Sequence, residues 1–319
     1  MAKAGVTVES GSPAPLVGRR GRSLQARRQR TGVILIAPAL FVLLAVVAYP
    51  IARSIVLSFQ HVTAKRGAFT YANVGFDNYR RLGSDEAFGI AVRNTLFFSA
   101  AEVTAVLLIA LSSALLLDHR LGRSGFFRTI LLIPWAISPV ANAVLWKWLL
   151  HANYGALNAG LLQLGLIDRY VNWLGDPHLA LRMMLLADVW KSVPFVALLL
   201  LAGLQNIPRF LYRAARIDGA TAWQRFRFIT LPGLRTPIAI AIVLQTIWSI
   251  KVFDLVFVLT KGGPADGTLL LNFLAYRVTF NFLDFGYGAA IANVLFAAMF
   301  VLAFAYIKLL KPGGSSAQR

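Results

Sequence analysis

Six stretches of about 20 predominantly apolar residues constrain this chain more than anything else in it. They run from about Val33 to Phe59, Ala91 to Leu117, Phe126 to Leu149, Ala180 to Leu204, Pro237 to Thr260 and Gly286 to Leu310. A run of that length crosses the hydrocarbon core as a helix, with its backbone groups bonded inside the segment. The expected fold class is an all-α integral membrane protein with six transmembrane helices. Composition agrees: 58% of residues are hydrophobic and 14% are charged, against about a quarter charged in a soluble domain. Cys is absent, which excludes disulfides, thiolate metal sites and thiol catalysis.

The basic residues orient the bundle. With the N-terminus cytoplasmic, the inner segments hold 19 Lys and Arg against three acids, Glu9, Asp118 and Asp218. Among those cations are Arg19, Arg20, Arg120, Arg123, Arg213, Arg216, Arg225, Arg227 and Arg235. The outer segments balance seven cations against seven acids. An excess of Lys and Arg on the cytoplasmic side is the expected asymmetry, and both termini then lie inside. The net charge of +19 is therefore a topology signal. Nucleic acid is not an expected partner, since no soluble basic domain remains to hold it.

Residues 1–30 mix Ser, Gly, Pro and Ala with an Arg-rich segment and read as a disordered basic cytoplasmic leader near anionic headgroups of the membrane lipid. A basic segment ahead of an apolar one also fits a cleaved signal peptide. The apolar run continues past Tyr49-Pro50 into Ile51–Phe59, longer than a signal core, which favours an uncleaved first span. Residues 31–311 then form the transmembrane domain and 312–319 a cytoplasmic tail. The outer connection from about Gln60 to Ile90 carries turn residues at Gly67, Gly75, Asp77-Asn78 and Gly83.

Soluble chemistry is missing. There is no GxxxxGK[ST] phosphate loop and no GxSxG elbow. His61, His119, His151 and His178 all fall in expected loops with no metal-ligand spacing, so neither a catalytic residue nor a metal site is nominated. Transport is the default for such a chain.

The segment from Gly203 to Pro237 is more ordered than a connection needs to be. Arg209 to Ile217 forms a short amphipathic helix, Asp218-Gly219 stops it, and Thr221 caps a second helix from Ala222 to Thr230 that Pro232 breaks. An interfacial helix lying on the membrane would have this pattern too. At Ala214-Ala215, Asp218-Gly219-Ala220, Phe226 and Ile229-Thr230-Leu231-Pro232 the sequence resembles the EAA loop of permease subunits in binding-protein-dependent ABC importers. The resemblance implies that this loop is the coupling helix between spans four and five, with Arg213, Ala214, Ala215, Asp218, Gly219 and Ala220 at the contact with a separate ATPase subunit. Arg213 stands where the motif has a leading Glu.

The resemblance covers about residues 33–311. Phe76-Asp77-Asn78-Tyr79, Arg93-Asn94-Thr95-Leu96, Leu132-Ile133-Pro134-Trp135, Tyr154-Gly155-Ala156-Leu157-Asn158, Leu204-Gln205-Asn206-Ile207-Pro208 and Thr260-Lys261-Gly262-Gly263-Pro264 are similar to the carbohydrate-uptake branch. Within it the chain resembles the maltose-transporter subunit that carries the sugar site, in a shorter six-span form.

Ionisable groups inside spans are costly and point to function. Glu102, Asp188 and Asp254 are the acids there. Asp188 and Lys191, and Lys251 and Asp254, are three apart and can neutralise each other along one helix face; contact with solute is the other reading of these four groups. A sugar site needs aromatic faces and planar polar groups. Span four offers Asp188, Trp190, Ser192 and Phe195 around Pro194; span five offers Gln245, Trp248, Ser249 and Val252. The family match brings these residues onto its sugar-contacting positions, with Asp188 and Ser249 in place of Asn and Trp248 in place of Phe. Asn94, Asn142 and Asn293 are weaker candidates that interhelical hydrogen bonds explain equally well.

The resemblance implies one of two permease subunits in a heterodimer of the bacterial plasma (inner) membrane. Two ATPase subunits holding ATP and magnesium, and an extracytoplasmic solute-binding protein, complete the assembly; no cofactor is expected in this chain. Sugars are the expected solutes, with glycerol phosphate or a polyol as the alternative. A secondary transporter driven by an ion gradient through Glu102, Asp188 or Asp254, and a membrane scaffold docking through the basic loops, are the competing classes. The loop motif argues against both.

Overall fold

The computed structural model describes residues 35–65, 68–118 and 125–310. The basic leader at 1–30, the tail at 312–319, and the loop residues His119, Arg120 and Arg123 lie outside them. The chain divides into two compact bodies, one ending at Ser54 and one starting at Ile55.

The first span is helix α1, Leu35–Ser58. The helix continues through Tyr49-Pro50, as the apolar run does. A π-helical turn at Leu44–Ala48 widens the ladder ahead of Pro50, where the ring would otherwise meet the carbonyl four residues back.

The outer connection departs from an all-helical chain. Strands β1 (Gln60–Lys65) and β2 (Ala68–Asn73) pair antiparallel, with Gln60 opposite Asn73 and Lys65 opposite Ala68. Helix α2 (Asp77–Leu82) follows and pins the hairpin's base. The Asn78 amide donates to the carbonyls of Ser58 (2.9 Å) and Gln60 (3.1 Å), and the Tyr79 and Ser58 hydroxyls lie 2.7 Å apart.

Helix α3 (Glu86–Leu116) is the second span. It begins earlier than its apolar run because Asp85 caps it, accepting from the Ala87 N–H at 2.9 Å. The third span is broken: α4 (Gly125–Ala136) and α5 (Pro139–Leu149) meet at 90°. Pro134 ends the first ladder, and Ser138 caps the second by accepting from the Ala141 N–H at 3.2 Å, with Pro139 at the first helical position. After α6 (Ala156–Gln163), Asp176 caps α7 (Pro177–Gln205), the fourth span, which runs unbroken through Pro194. His178 thus sits in a helix and His61 in a strand, not in loops.

Helices α3 and α7 form the most extensive contact of the bundle. Phe98, Met184, Leu270, Tyr287 and Ile291 fill one half of the core; Val106, Ala110, Val196, Leu200 and Leu234 fill the other. At the cytoplasmic end of α7, a Cβ on Gly203 would stand 2.6 Å from the Pro237 ring, so spans four and five touch backbone-close there.

Helix α8 (Arg209–Ile217) has the bounds its sequence predicts. Helix α9 (Ala222–Gly233) and α10 (Arg235–Ile250) meet at 63°. The break falls where Pro232 predicts it, one residue past the ring at Gly233, although a π-turn at Phe226–Thr230 carries the helix beyond its expected end at Thr230. Span five is shorter than its apolar run: α10 stops at Ile250, residues 251–253 leave the helix, and a π-helical turn resumes at Val256–Thr260. Helix α11 (Leu271–Tyr276) and then α12 (Phe285–Leu310), the sixth span, complete the chain. Helices α1, α3, α7 and α12 are each long and apolar enough to cross a membrane, and the two bent pairs bring the spans to six.

Candidate functional site

Two disrupted stretches of helix and the middle of an unbroken one converge on one cavity of about 350 Å³. The bend of the third span supplies Trp135, Pro139 and Asn142, the middle of α7 supplies Asp188, Lys191 and Ser192, and the end of span five supplies Trp248 and residues 251–255. Backbone that leaves the helix inside a bundle must find partners. The Lys251 carbonyl finds one in the Asn272 amide, at 2.9 Å.

Of the residues nominated from sequence, Asp188, Ser192, Trp248 and Val252 line this cavity, as does the weaker candidate Asn142. Phe195 stands behind the wall, stacked on Trp135 at 5.6 Å and edge-on to Trp248 at 5.3 Å. It orients both indoles without facing the cavity itself. Trp190 is half a turn away from Asp188 on α7 and meets Trp146 edge-on at 6.1 Å. Ser249 is buried and donates to the Thr246 carbonyl of its own helix at 3.0 Å. Gln245 is turned into the bundle, where its amide donates to the Glu102 carboxylate. The second oxygen of Glu102 and the Gln245 carbonyl are buried without a partner.

Neither Asp188 and Lys191 nor Lys251 and Asp254 closes to an ion pair; among the described residues the ion pairs are Arg80 with Asp77, Arg81 with Asp284 and Arg277 with Asp266. All four groups instead border the cavity. Two indole rings, an amide, a hydroxyl and four charged groups make a wall that can stack on a ring face and bond to several hydroxyls at once.

The cytoplasmic loop is built from local signals. Helix α8 ends in a Schellman motif: the Ala220 N–H reaches the Ala215 carbonyl at 2.8 Å, and the Gly219 N–H reaches Arg216 at 3.2 Å. Gly219 takes φ +78°, a conformation open to Gly at no steric cost. Thr221 and Gln224 form a reciprocal capping box at 3.2 and 2.7 Å, and the Tyr212 and Thr230 hydroxyls join the two helices at 3.0 Å. Arg213, Ala214, Ile217, Asp218 and Gly219 are exposed, while Ala215 and Ala220 are half-buried. Ile217, 87% exposed, is the most exposed large hydrophobic residue among those described. The loop is an ordered knob with an apolar tip.

Residues 106–313 match the family of binding-protein-dependent transport system inner membrane components. The chain belongs to that family. The permease is 38% identical over 286 residues to the trehalose/maltose transport system permease protein MalF of Thermococcus litoralis, covering 90% of this chain and 95% of that one. It is 35% identical over 279 residues to the sulfoquinovosyl glycerol transport system permease protein SmoG of Agrobacterium fabrum, covering 88% and 90%. Its fold matches a chain of a bacterial ABC transporter involved in import of the acidic polysaccharide alginate, at a TM-score of 0.75 and 23% identity over 91% of this chain and 98% of that one.

The permease is thus the non-catalytic, multi-pass inner-membrane component of a transport system that works with a binding protein. Membership in this family sets aside the gradient-driven and scaffold alternatives. Sequence reasoning missed Trp135, Pro139, Phe253 and Leu255 in the cavity wall; Trp135 figured in that reasoning only within a motif of family resemblance. The signal for Pro139 was Ser138-Pro139, a helix start inside an apolar run. Phe253 and Leu255 carried no signal, because the break that exposes them has no Pro or Gly.

Proposed function

We propose that this permease carries a sugar or sugar-like solute through the cavity at the third, fourth and fifth spans. It does so as one of two membrane subunits in an ATP-driven importer. Trp248 and Trp135 stack on the ring faces, and Asp188, Ser192 and Asn142 bond to hydroxyls. The observation that carries this reading is the convergence of two indoles and several polar groups where spans three and five lose their helical ladder against the unbroken span four. The relatives whose names specify trehalose, maltose and sulfoquinovosyl glycerol support the solute class.

A second permease subunit, two ATPase subunits and an extracytoplasmic binding protein complete the working unit. The binding protein releases solute at the outer mouth, and the ATPases close on ATP and push the knob at Arg213–Ala220. The bundle then exchanges between outward- and inward-facing states, an equilibrium biased from both ends.

Lys191 and Lys251, which border the cavity without closing an ion pair, support a second solute class: a glycerol phosphate or another anionic sugar derivative would find two cations there. One experiment decides between them. The co-purified assembly is reconstituted with its binding protein and its ATPase rate is measured with maltose, trehalose and glycerol 3-phosphate. Stimulation by a neutral disaccharide supports the first reading, and stimulation by the phosphate alone supports the second. Absence of any co-purifying ATPase would overturn both.

A further inference from the structure

A second cavity, of about 570 Å³, lies between the α9–α10 joint and the far end of α12. It shares no lining residue with the solute cavity. One end is formed by Arg227 and Arg235, which stand on either side of the 63° bend. Both are exposed, and among the described residues neither takes part in an ion pair. Ile238, Ala239 and Ile242 line the wall. They follow Arg235 at three, four and seven positions, which is one face of α10. At 1.5 Å per residue, that apolar strip extends about 10 Å inward from the guanidinium level. Tyr306 also lines the cavity, and its hydroxyl is engaged with that of Thr246 at 3.2 Å.

The charge asymmetry of the chain assigns this end of the bundle to the cytoplasmic face. The cavity therefore has a cationic end at headgroup level and an apolar strip along a spanning helix. Basic pockets between transmembrane helices on that face suit anionic lipid headgroups. We propose that this groove holds one anionic phospholipid of the cytoplasmic leaflet. Its phosphate sits between Arg227 and Arg235, and an acyl chain lies along Ile238, Ala239 and Ile242. A zwitterionic lipid brings an ammonium to the same two guanidiniums and is disfavoured. The bound lipid spans the joint between the loop helix α9 and span five, so it braces the bend through which the knob is connected to the bundle.

The test is lipid retention by the full-length chain with its co-purifying subunits, exchanged with equimolar phosphatidylglycerol and phosphatidylcholine and read by native mass spectrometry. The wild type should retain phosphatidylglycerol at least tenfold over phosphatidylcholine. Arg227→Gln with Arg235→Gln should bring the ratio to within twofold, and Arg227→Lys with Arg235→Lys should restore most of it. Ile242→Trp, which fills the groove and keeps both guanidiniums, should expel the lipid. No preference in the wild type, an unchanged preference in the Gln pair, or full retention by Ile242→Trp would each overturn the proposal. Two further results would overturn it as well. Displacement of the lipid by millimolar inorganic phosphate would make this a free-anion site, and a cross-link from Ala239→Cys to the second permease subunit would make it a protein contact.

Discussion

Glu102 and Gln245 illustrate how far single residues can be read. Both are fully buried, on α3 and α10, and the hydrogen bond between them spans 143 positions of sequence. An acid in a span is legible as costly, and Glu102 stood out on that ground. Its partner was not legible, because the amide of Gln245 fits a solute hydroxyl as well as a neighbouring carboxylate. Only the packing of α3 against α10 chooses. Gln245→Leu should destabilise the purified permease by about 1–3 kcal/mol, the cost of leaving a buried polar group without its partner, and thermal unfolding in detergent measures it. Solute dependence should change little, since Gln245 does not line the cavity. Trp248 differs: Trp248→Ala removes a stacking face of about 1–1.5 kcal/mol, so the solute concentration for half-maximal ATPase stimulation should rise about tenfold, beside a lowered melting temperature from the lost edge-on contact with Phe195.

At the level of elements, legibility followed how local the cause was. Helix α8 and the Thr221 cap were readable to the residue because a Gly stop, a capping box and an amphipathic face are written within a few positions. The π-turn ahead of Pro50 was not, since a Pro says nothing of a helix that widens to keep going. The end of α10 at Ile250 was hidden for another reason: the apolar run continues, and what stabilises the opened backbone is Asn272 from a later segment. Gly219 offers the sharpest test at this scale. Proline fixes φ near −65°, whereas the knob needs +78° at this position. Gly219→Pro should therefore leave membrane insertion intact and abolish solute-stimulated ATP turnover. Paired measurements of uptake and hydrolysis check it, and wild-type uptake would count against the coupling role of the loop.

For the whole molecule, the spans were legible from length and hydropathy alone, six when each bent pair counts as one, and Lys and Arg predict their orientation. The outer hairpin was not, because its strands alternate weakly and are held by Asn78 from the next helix. The chain's lack of Cys makes the orientation directly testable. Tyr170→Cys should react with a membrane-impermeant thiol reagent added to intact cells, and Arg216→Cys should react only after the membrane is opened. Labelling in the opposite order would invert every inside and outside assignment. The contact at Gly203 bears on how such a bundle moves. With a backbone of α7 seated against the Pro237 ring, the cytoplasmic ends of spans four and five leave no room for a methyl group between them. Sliding or parting forfeits that packing, so the two ends move at least cost as one lever. Any widening between these two spans is then absorbed at the far end, where residues 251–253 have given up their helical bonds, and so the pivot and the solute cavity occupy the same few residues.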